Sequence, residues 1–156
     1  MTCITINEKP SFENIYGMIS QCVSALEVRQ GENMIIISKD IRESYPMPVQ
    51  GGNIVAIVDC GNERLVDFVS STKLPAITCG LSPKDTITLS SIEEDSAVVT
   101  LQRAVTCFDG TVAEPQEIPV RLSGITDNFS LMAASAVFIL TGNIDQLMDG
   151  TLSGQS

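Results

Sequence analysis

Two groups of polar residues could do chemistry, and each directly follows an apolar run of the chain. The first group is Lys39 and Asp40, and the second is Asp59, Cys60, Gly61 and Asn62. The preceding runs, 33–38 and 54–58, are rich in Ile and Val without polar alternation, which is typical of strands buried in a parallel sheet. The carboxyl ends of such strands commonly form ligand sites, so the sequence predicts ligand-binding residues there. A solvated loop or an ordinary capped turn is the alternative interpretation.

Cys60 has the most specific chemical interpretation among these residues. It is predicted to precede a helix, where the helix N-terminus favours a thiolate and the amides of residues 60–62 could hold an anion. A nucleophilic Cys60 would need this helix or a lysine, such as Lys39 or Lys84, to lower its pKa, because the chain contains no histidine. The alternative is that Cys60 is a small, buried, apolar side chain.

Composition narrows the function classes further. The 156 residues include five cysteines, none in a Cys-x-x-Cys pair, and no histidine, which leaves zinc sites and His-based catalytic triads unsupported. We therefore expect no metal and no cofactor. A net charge of −10, from 19 acidic and 9 basic residues, disfavours nucleic acid and anionic membranes as partners. The odd cysteine count, and an N-terminus unlike a secretion signal, predict a cytoplasmic protein with free thiols.

The stretch 52–80 predicts the unit that positions the second group of polar residues. Residues 53–59 read as a strand, Asn62 as a helix N-cap, and Leu65, Val66 and Val69 as a helical stripe. Residues 76–79 read as the next strand. A crossover of this length normally joins parallel strands, so we expect a βαβ unit.

The N-terminal part predicts three elements before this unit. Residues 2–7 alternate between apolar and polar types, which predicts a short edge strand. Residues 33–38 predict a buried strand. Between them we expect a helix over 12–30 that ends at Gly31. Its stripe consists of Ile15, Ile19, Cys22, Val23 and Leu26.

The C-terminal part predicts an antiparallel meander followed by helices. Residues 86–92 and 97–108 read as strands, and Asp109-Gly110 as a two-residue hairpin turn. The return over 111–122 is expected to be irregular or at an edge, because it contains Pro115 and Pro119. A helix over 129–141 follows, capped by Asp127 or Asn128, and then a short helix over 143–148. The helix is expected to present one packing face, made of Leu131, Ala134, Ser135, Phe138 and Ile139.

Together these elements predict one α/β domain over residues 1–150 and a frayed tail at 151–156. We expect three layers and a Rossmann-like mixed sheet with a parallel core and an appended antiparallel meander.

Several short motifs occur in an order known from one enzyme family. They are Val58-Asp59-Cys60-Gly61-Asn62, Thr78-Cys79-Gly80, the segment Gly124 to Ala134, and Leu140-Thr141-Gly142. They stand where the Mur ligases carry a strand ending in Asn-Ala-Asp-Asp, a strand ending in Thr-Phe-Gly, and a closing helix with two asparagines. Residues 34–152 thus resemble the second half of the Mur ligase central domain, including its folylpolyglutamate and cyanophycin synthetase relatives.

The resemblance implies an activity for which this chain lacks essential residues. Mur ligases activate a carboxylate with ATP, which requires a glycine-rich loop with a lysine, and this chain contains no Gly-Lys pair. Asp127 and Ser130 replace the two helix asparagines, and Asn128 matches a nucleotide-contacting asparagine only after a one-residue shift.

The expected function is therefore a non-catalytic Mur ligase-like domain that binds a partner protein or a small ligand. The resemblance links it to bacterial cell-wall precursor metabolism. One alternative is a subunit that pairs through an open sheet edge with a separate ATP-binding chain, and self-association through the edge is also open. Another is an enzyme with an unrelated site near Cys60.

Overall fold

The computed structural model describes residues 2–5, 25–38, 53–61, 63–72, 75–123, 127–149 and 151–153. The predicted ligand residues Lys39, Asp40 and Asn62 lie outside these ranges. The strands are β1 (Thr2–Thr5), β2 (Ala25–Gln30), β3 (Asn33–Ser38), β4 (Ile54–Asp59), β5 (Ala76–Cys79), β6 (Ile87–Ile92), β7 (Ser96–Leu101), β8 (Val105–Thr106), β9 (Val112–Ala113), β10 (Gln116–Ser123) and β11 (Thr151–Ser153). The helices are α1 (Glu63–Thr72), α2 (Asn128–Leu140) and α3 (Ile144–Asp149).

Within the described ranges, one mixed sheet has the strand order β1-β2-β3-β4-β5-β6-β7-β10-β11, and β8 and β9 form a separate pair. Strands β3 to β6 are parallel, whereas β6, β7 and β10 run antiparallel. This topology confirms the predicted α/β class with a parallel core and an appended meander. It also confirms the βαβ unit, here β4, α1 and β5.

The N-terminal part differs from the prediction after β1. The helix predicted over 12–30 is wrong at its end, because Ala25–Gln30 form β2, while residues 12–24 lie outside the described ranges. A two-residue turn joins β2 to β3, with Gln30 paired to Asn33 and Gly31 at φ +60°. Glycine adopts this conformation without strain, so Gly31 turns a hairpin instead of ending a helix.

Helix α2 lies against the sheet and is buried on every side. All residues from Phe129 to Leu140 are buried, and the helix contacts β4, β5 and β6. The five residues expected on one packing face are among these buried residues, and burial extends to the other sides of the helix as well. The helix has no charged residue, and an all-round apolar helix is typical of a core position. Asp127 is its N-cap, with Oδ1 accepting a hydrogen bond from the Ser130 amide at 2.9 Å.

The β8–β9 hairpin closes the other end of α2. The last carbonyls of a buried helix need partners. The Phe108 amide donates to Leu140 O at 2.9 Å, and the Cys107 thiol donates to Ile139 O at 3.0 Å. The Cys107 amide donates to Thr111 O, so the hairpin loop consists of residues 108–110. The predicted two-residue turn is therefore one residue too short.

The predicted long strands of the meander are interrupted. The strand predicted over 97–108 is divided into β7 and β8, and its return into β9 and β10. Thr151–Ser153, expected in the frayed tail, form β11 beside residues 121–123 of β10. Pro119 lies in β10 opposite Val98 of β7, and β10 is not an edge strand of the described sheet, because β11 follows it. The return over 111–122 is instead irregular, since it is divided into two strands. No helix in the described part of the chain is long and apolar enough to cross a membrane.

Candidate functional site

A crevice of about 550 Å³ lies at the carboxyl ends of β4 and β5. We call it the strand-end crevice, and it is lined by Cys60, Gly61, Thr78, Gly80, Leu81, Ser82, Lys84 and Asp85. This is the edge of a parallel sheet at which ligands usually bind. The crevice contains two of the predicted ligand residues, Cys60 and Gly61.

The other predicted ligand residues have different positions. Asp59 is the last residue of β4, and its Oδ1 accepts a hydrogen bond from the Gly61 amide at 2.8 Å, so it borders the crevice. Asn128 is exposed in the first turn of α2 and is not among the lining residues. The structure therefore brings Asp59, Cys60 and Gly61 together and does not bring Asn128 to them.

The loop 80–86, which forms one wall, makes an uncommon connection. It joins two parallel strands without a crossover helix, which such strands normally need. This is feasible because β5 and β6 pair only at Cys79 and Ile87, so β6 starts where β5 ends. The Gly80 amide closes the loop by donating to Ile87 O at 3.1 Å.

Asp85 is the central side chain of this loop and was missed by the sequence analysis. It is only 2% exposed, and its Oδ2 accepts a hydrogen bond from the Ser82 amide at 3.0 Å. A Cβ at position 80 would overlap Asp85 Oδ2 and lie 3.1 Å from the Cys60 Cβ. Gly80 is therefore required for the backbone of β5 to approach this carboxylate. The neighbouring Ser-Pro-Lys sequence is typical of a turn, but it carries no signal for an inward-pointing aspartate.

Gln102 fixes the loop from the opposite side. Its Nε2 donates to Ser82 O at 3.1 Å and to Asp85 O at 2.8 Å, and its amide donates to Thr86 O at 2.8 Å. These contacts give a reason for the break between β7 and β8, because Gln102 pairs with the loop instead of continuing β7. The Thr86 amide also donates to Thr78 Oγ1 at 3.0 Å, which ties the loop to β5.

The backbone amides around the crevice are already used within the protein. The Cys60 amide donates to Cys79 O at 3.0 Å and the Gly61 amide to Asp59. In the loop, the amides of residues 80, 82, 84, 85 and 86 donate to protein acceptors. Anion cradles depend on amides that point at the ligand. The amides of Cys60 and Gly61 are therefore not free for the anion predicted at residues 60–62, and the third residue, Asn62, lies outside the described ranges.

The Cys60 thiol is also different from the sequence expectation. Burial, a hydrogen bond to Asp85 and the negative charges of Asp85 and Asp59 raise its pKa from 9.0 to about 11, although a hydrogen bond with Thr78 acts in the other direction. The predicted lowering of the Cys60 pKa by the helix is wrong. The group is a neutral thiol at pH 7 and a poor nucleophile.

A second, smaller crevice of about 380 Å³ lies beside the β8–β9 hairpin. We call it the hairpin crevice, and it is lined by Cys107, Thr111, Val112, Ala113, Glu114, Gln116, Ile139, Gly142, Ile144 and Asp145. None of these residues was predicted to bind a ligand. Over the described residues, no three Cys, Asp or Glu side chains are grouped so that they could hold a metal ion.

No protein-family model matches this chain, and no curated protein matches it.

Proposed function

We propose that this chain is a non-catalytic, Mur ligase-like domain that binds a small ligand in the strand-end crevice. The observation that carries the proposal is a preformed cavity at the carboxyl ends of parallel strands, whose wall loop is fixed on both sides by hydrogen bonds. A volume of about 550 Å³ is in the range of small-molecule pockets.

A fixed wall supports small-molecule binding for an energetic reason. The loop 80–86 is held by Asp85 and Gln102 before any ligand arrives. Binding then does not have to order the loop, which would otherwise cost part of the binding free energy. A partner protein or a second copy of the chain remains the alternative occupant of the exposed surface around Leu81.

The chemistry of the crevice supports a binding role over a catalytic one. Cys60 is protonated at neutral pH, and the amides of Cys60 and Gly61, which could otherwise stabilise a developing oxyanion or a phosphate, already have acceptors. The absence of a Gly-Lys pair in the sequence points the same way. An enzyme with its nucleophile at Cys60 is thus the less supported alternative.

The alternative of a complementing subunit is weakened by the N-terminal strands. It requires an open edge at β3, but β2 pairs antiparallel with β3, and β1 pairs parallel with β2. A second chain would have to pair at an outer strand of the described sheet, β1 or β11.

The remaining parts of the proposal depend on the resemblance and on composition. They are a three-layer, Rossmann-like arrangement, a cytoplasmic location and a link to bacterial cell-wall precursor metabolism. The net charge of −10 disfavours nucleic acid and membranes as partners and is compatible with a protein or a small ligand.

Two measurements test the proposed function. Isothermal titration with Mg·ATP should give no saturable heat, and micromolar affinity would contradict the proposal. A fragment screen by thermal shift should find binders that lose affinity at least fivefold in Leu81→Ser, because Leu81 is 70% exposed at the crevice.

The matched control for Leu81→Ser is Ile92→Ser. Ile92 is also an exposed large apolar residue, at 49%, but it lines neither crevice. Equal effects of the two substitutions on fragment binding would rule out the strand-end crevice as the site.

A further inference from the structure

We propose that Asp109-Gly110, in the loop of the β8–β9 hairpin, is a latent isoaspartate site that the folded hairpin keeps unreactive and that reacts when the hairpin opens. This spontaneous modification of the backbone is independent of ligand binding at the strand-end crevice.

An aspartate that precedes a glycine can rearrange without an enzyme. The backbone nitrogen of Gly110 attacks Asp109 Cγ, a new N–Cγ bond forms, and the carboxyl OH group leaves with the amide proton as water. A second water then opens the cyclic imide. Cleavage between the nitrogen and the main-chain carbonyl carbon of Asp109 leaves the chain connected through Cγ, which is isoaspartate. Glycine favours the attack because it has no Cβ to obstruct it.

Both reacting groups are exposed, and hydrogen bonds hold both in place. Oδ1 of Asp109 accepts from the Thr111 amide at 2.9 Å and from the Thr111 hydroxyl at 2.6 Å. The Gly110 amide, whose nitrogen is the nucleophile, donates to Cys107 O at 3.0 Å. The attack therefore requires these hydrogen bonds to break, as they do when a hairpin opens locally.

The charge of Asp109 also opposes the reaction in the folded hairpin. The attack needs a neutral carboxyl group, because a carboxylate has no OH group to lose. The Thr111 hydroxyl and then the Thr111 amide lower the pKa of the Asp109 carboxyl below its ordinary value. The neutral form is therefore rarer in the folded hairpin than in the open chain.

The rearrangement would prevent the hairpin from closing as before. Isoaspartate at position 109 adds one carbon to the backbone of the loop, which is closed by the Cys107 amide donating to Thr111 O at 2.8 Å. The same loop places the Phe108 amide 2.9 Å from Leu140 O at the end of α2. The modification would thus mark, irreversibly, the molecules whose hairpin has opened.

The first experiment ages the full chain at pH 6 and 37 °C, once in buffer and once in urea sufficient to unfold it. Peptide mapping measures isoaspartate at position 109, with the second Asp-Gly pair, Asp149-Gly150, as the reference for the unfolded chain. We expect similar rates at the two pairs in urea, and a rate at Asp109 at least tenfold lower in buffer. Equal rates at Asp109 in the two solvents, or no reaction at Asp109 in urea while Asp149 reacts, would overturn the proposal.

The variant Thr111→Val tests the protecting side chain, because it removes the hydroxyl donor and keeps the shape. We expect at least threefold faster isoaspartate formation in buffer and an unchanged rate in urea. Thr106→Val is the matched control and should change neither rate, since Thr106 is also exposed in this hairpin but the bonds to Asp109 come from Thr111. Equal effects of the two variants would overturn the protection by Thr111.

Protein that is aged in urea and then refolded tests the consequence for the hairpin. A pulse of thermolysin should cleave molecules with isoaspartate at position 109 first, because proteolysis follows the population of the open form. We expect at least a fivefold depletion of isoaspartate at this position in the uncleaved protein. An unchanged isoaspartate content would show that the modified hairpin closes normally and would overturn its role as a mark.

Discussion

Two loops of this protein each place a cysteine near an aspartate, and they use these residues differently. In the hairpin, the Cys107 thiol donates to a helix carbonyl, and Asp109 accepts from the amide and the hydroxyl of Thr111 within its own turn. At the strand-end crevice, the Cys60 thiol bonds Asp85, and both residues line a cavity.

The difference shows how the same residue types can either close a helix end or form the wall of a crevice. The hairpin completes the hydrogen bonds of a buried helix, which would otherwise leave carbonyls unpaired at a cost of about 1–3 kcal/mol each. The crevice loop also satisfies most of its own backbone, and its buried carboxylate, Asp85, bonds the Ser82 amide and the Cys60 thiol in the wall of a cavity. The candidate site is distinguished by its place at the carboxyl ends of parallel strands and by a wall loop that is fixed by hydrogen bonds.

The largest expected effect is from Gly80→Ala. The added Cβ overlaps Asp85 Oδ2 and must displace a buried carboxylate, so we expect a loss of about 2 kcal/mol or more in the free energy of unfolding, measured with urea. The matched control is Gly61→Ala, whose Cβ would meet only Asp59 Oδ1, at 3.1 Å. Similar losses for the two variants would contradict the described packing of Asp85.

Gln102→Met should have the next largest effect. It keeps the side-chain length but removes the donor to Ser82 O and Asp85 O, so we expect a loss of about 1–2 kcal/mol in urea unfolding. Gln116→Met is the control, because its exposed Nε2 donates only to Glu114 O and its loss should cost about 0.5 kcal/mol or less. An unchanged stability of Gln102→Met would show that the loop is not fixed from this side.

The variant Asp127→Ala tests the N-cap of α2, again through the free energy of unfolding. Removal of the N-cap of α2 should cost about 1 kcal/mol, whereas Asn128→Ala, one residue later, should cost little. Thermal or urea unfolding of the pair distinguishes the two caps that the sequence allowed. Equal losses would contradict Asp127 as the cap.

The prediction with the smallest effect on stability at neutral pH concerns the pKa of the Cys60 thiol. Its raised pKa means that the folded state keeps the thiol proton more tightly than the unfolded chain. The corresponding stability is present below pH 9 and is lost as the pH rises from 9.0 to about 11. Peptide-resolved alkylation of Cys60 should therefore reach half its maximal rate near pH 11.

The control for this measurement is Asp85→Asn, checked for folding by circular dichroism. Loss of the Asp85 charge should move the alkylation midpoint of Cys60 toward pH 9, because that charge helps to raise the pKa. A midpoint near pH 9 in the unaltered protein would contradict the described contact.

The parallel core was predictable because it depends on local patterns. Uninterrupted apolar runs of strand length marked β3 and β4, and a helical stripe between two such runs marked the βαβ unit. Asp127 could be predicted as a cap from its residue type and position. Asp59, Cys60 and Gly61 could be placed at a strand end by the same reasoning.

The remaining features depend on long-range contacts that no local pattern specifies. Residues 25–30 fit a helical stripe through Leu26, but Leu26 and Val28 also fit a strand, and only pairing with β3 decides between them. Asp85 and Gln102 are separated by 17 positions in sequence and meet only because β6 and β7 form a hairpin. The pKa of Cys60 is raised first by burial and then by Asp85, so its direction could not be predicted from the helix alone.

The central claim is that ligands bind at the strand-end crevice and not at the hairpin crevice. The most direct measurement is a ¹H–¹⁵N correlation map of the full chain titrated with the fragments found by thermal shift. We predict that the saturable chemical-shift changes concentrate at the amides of Gly61, Gly80, Ser82 and Lys84. Shifts concentrated at Thr111, Gly142 and Asp145 would contradict it.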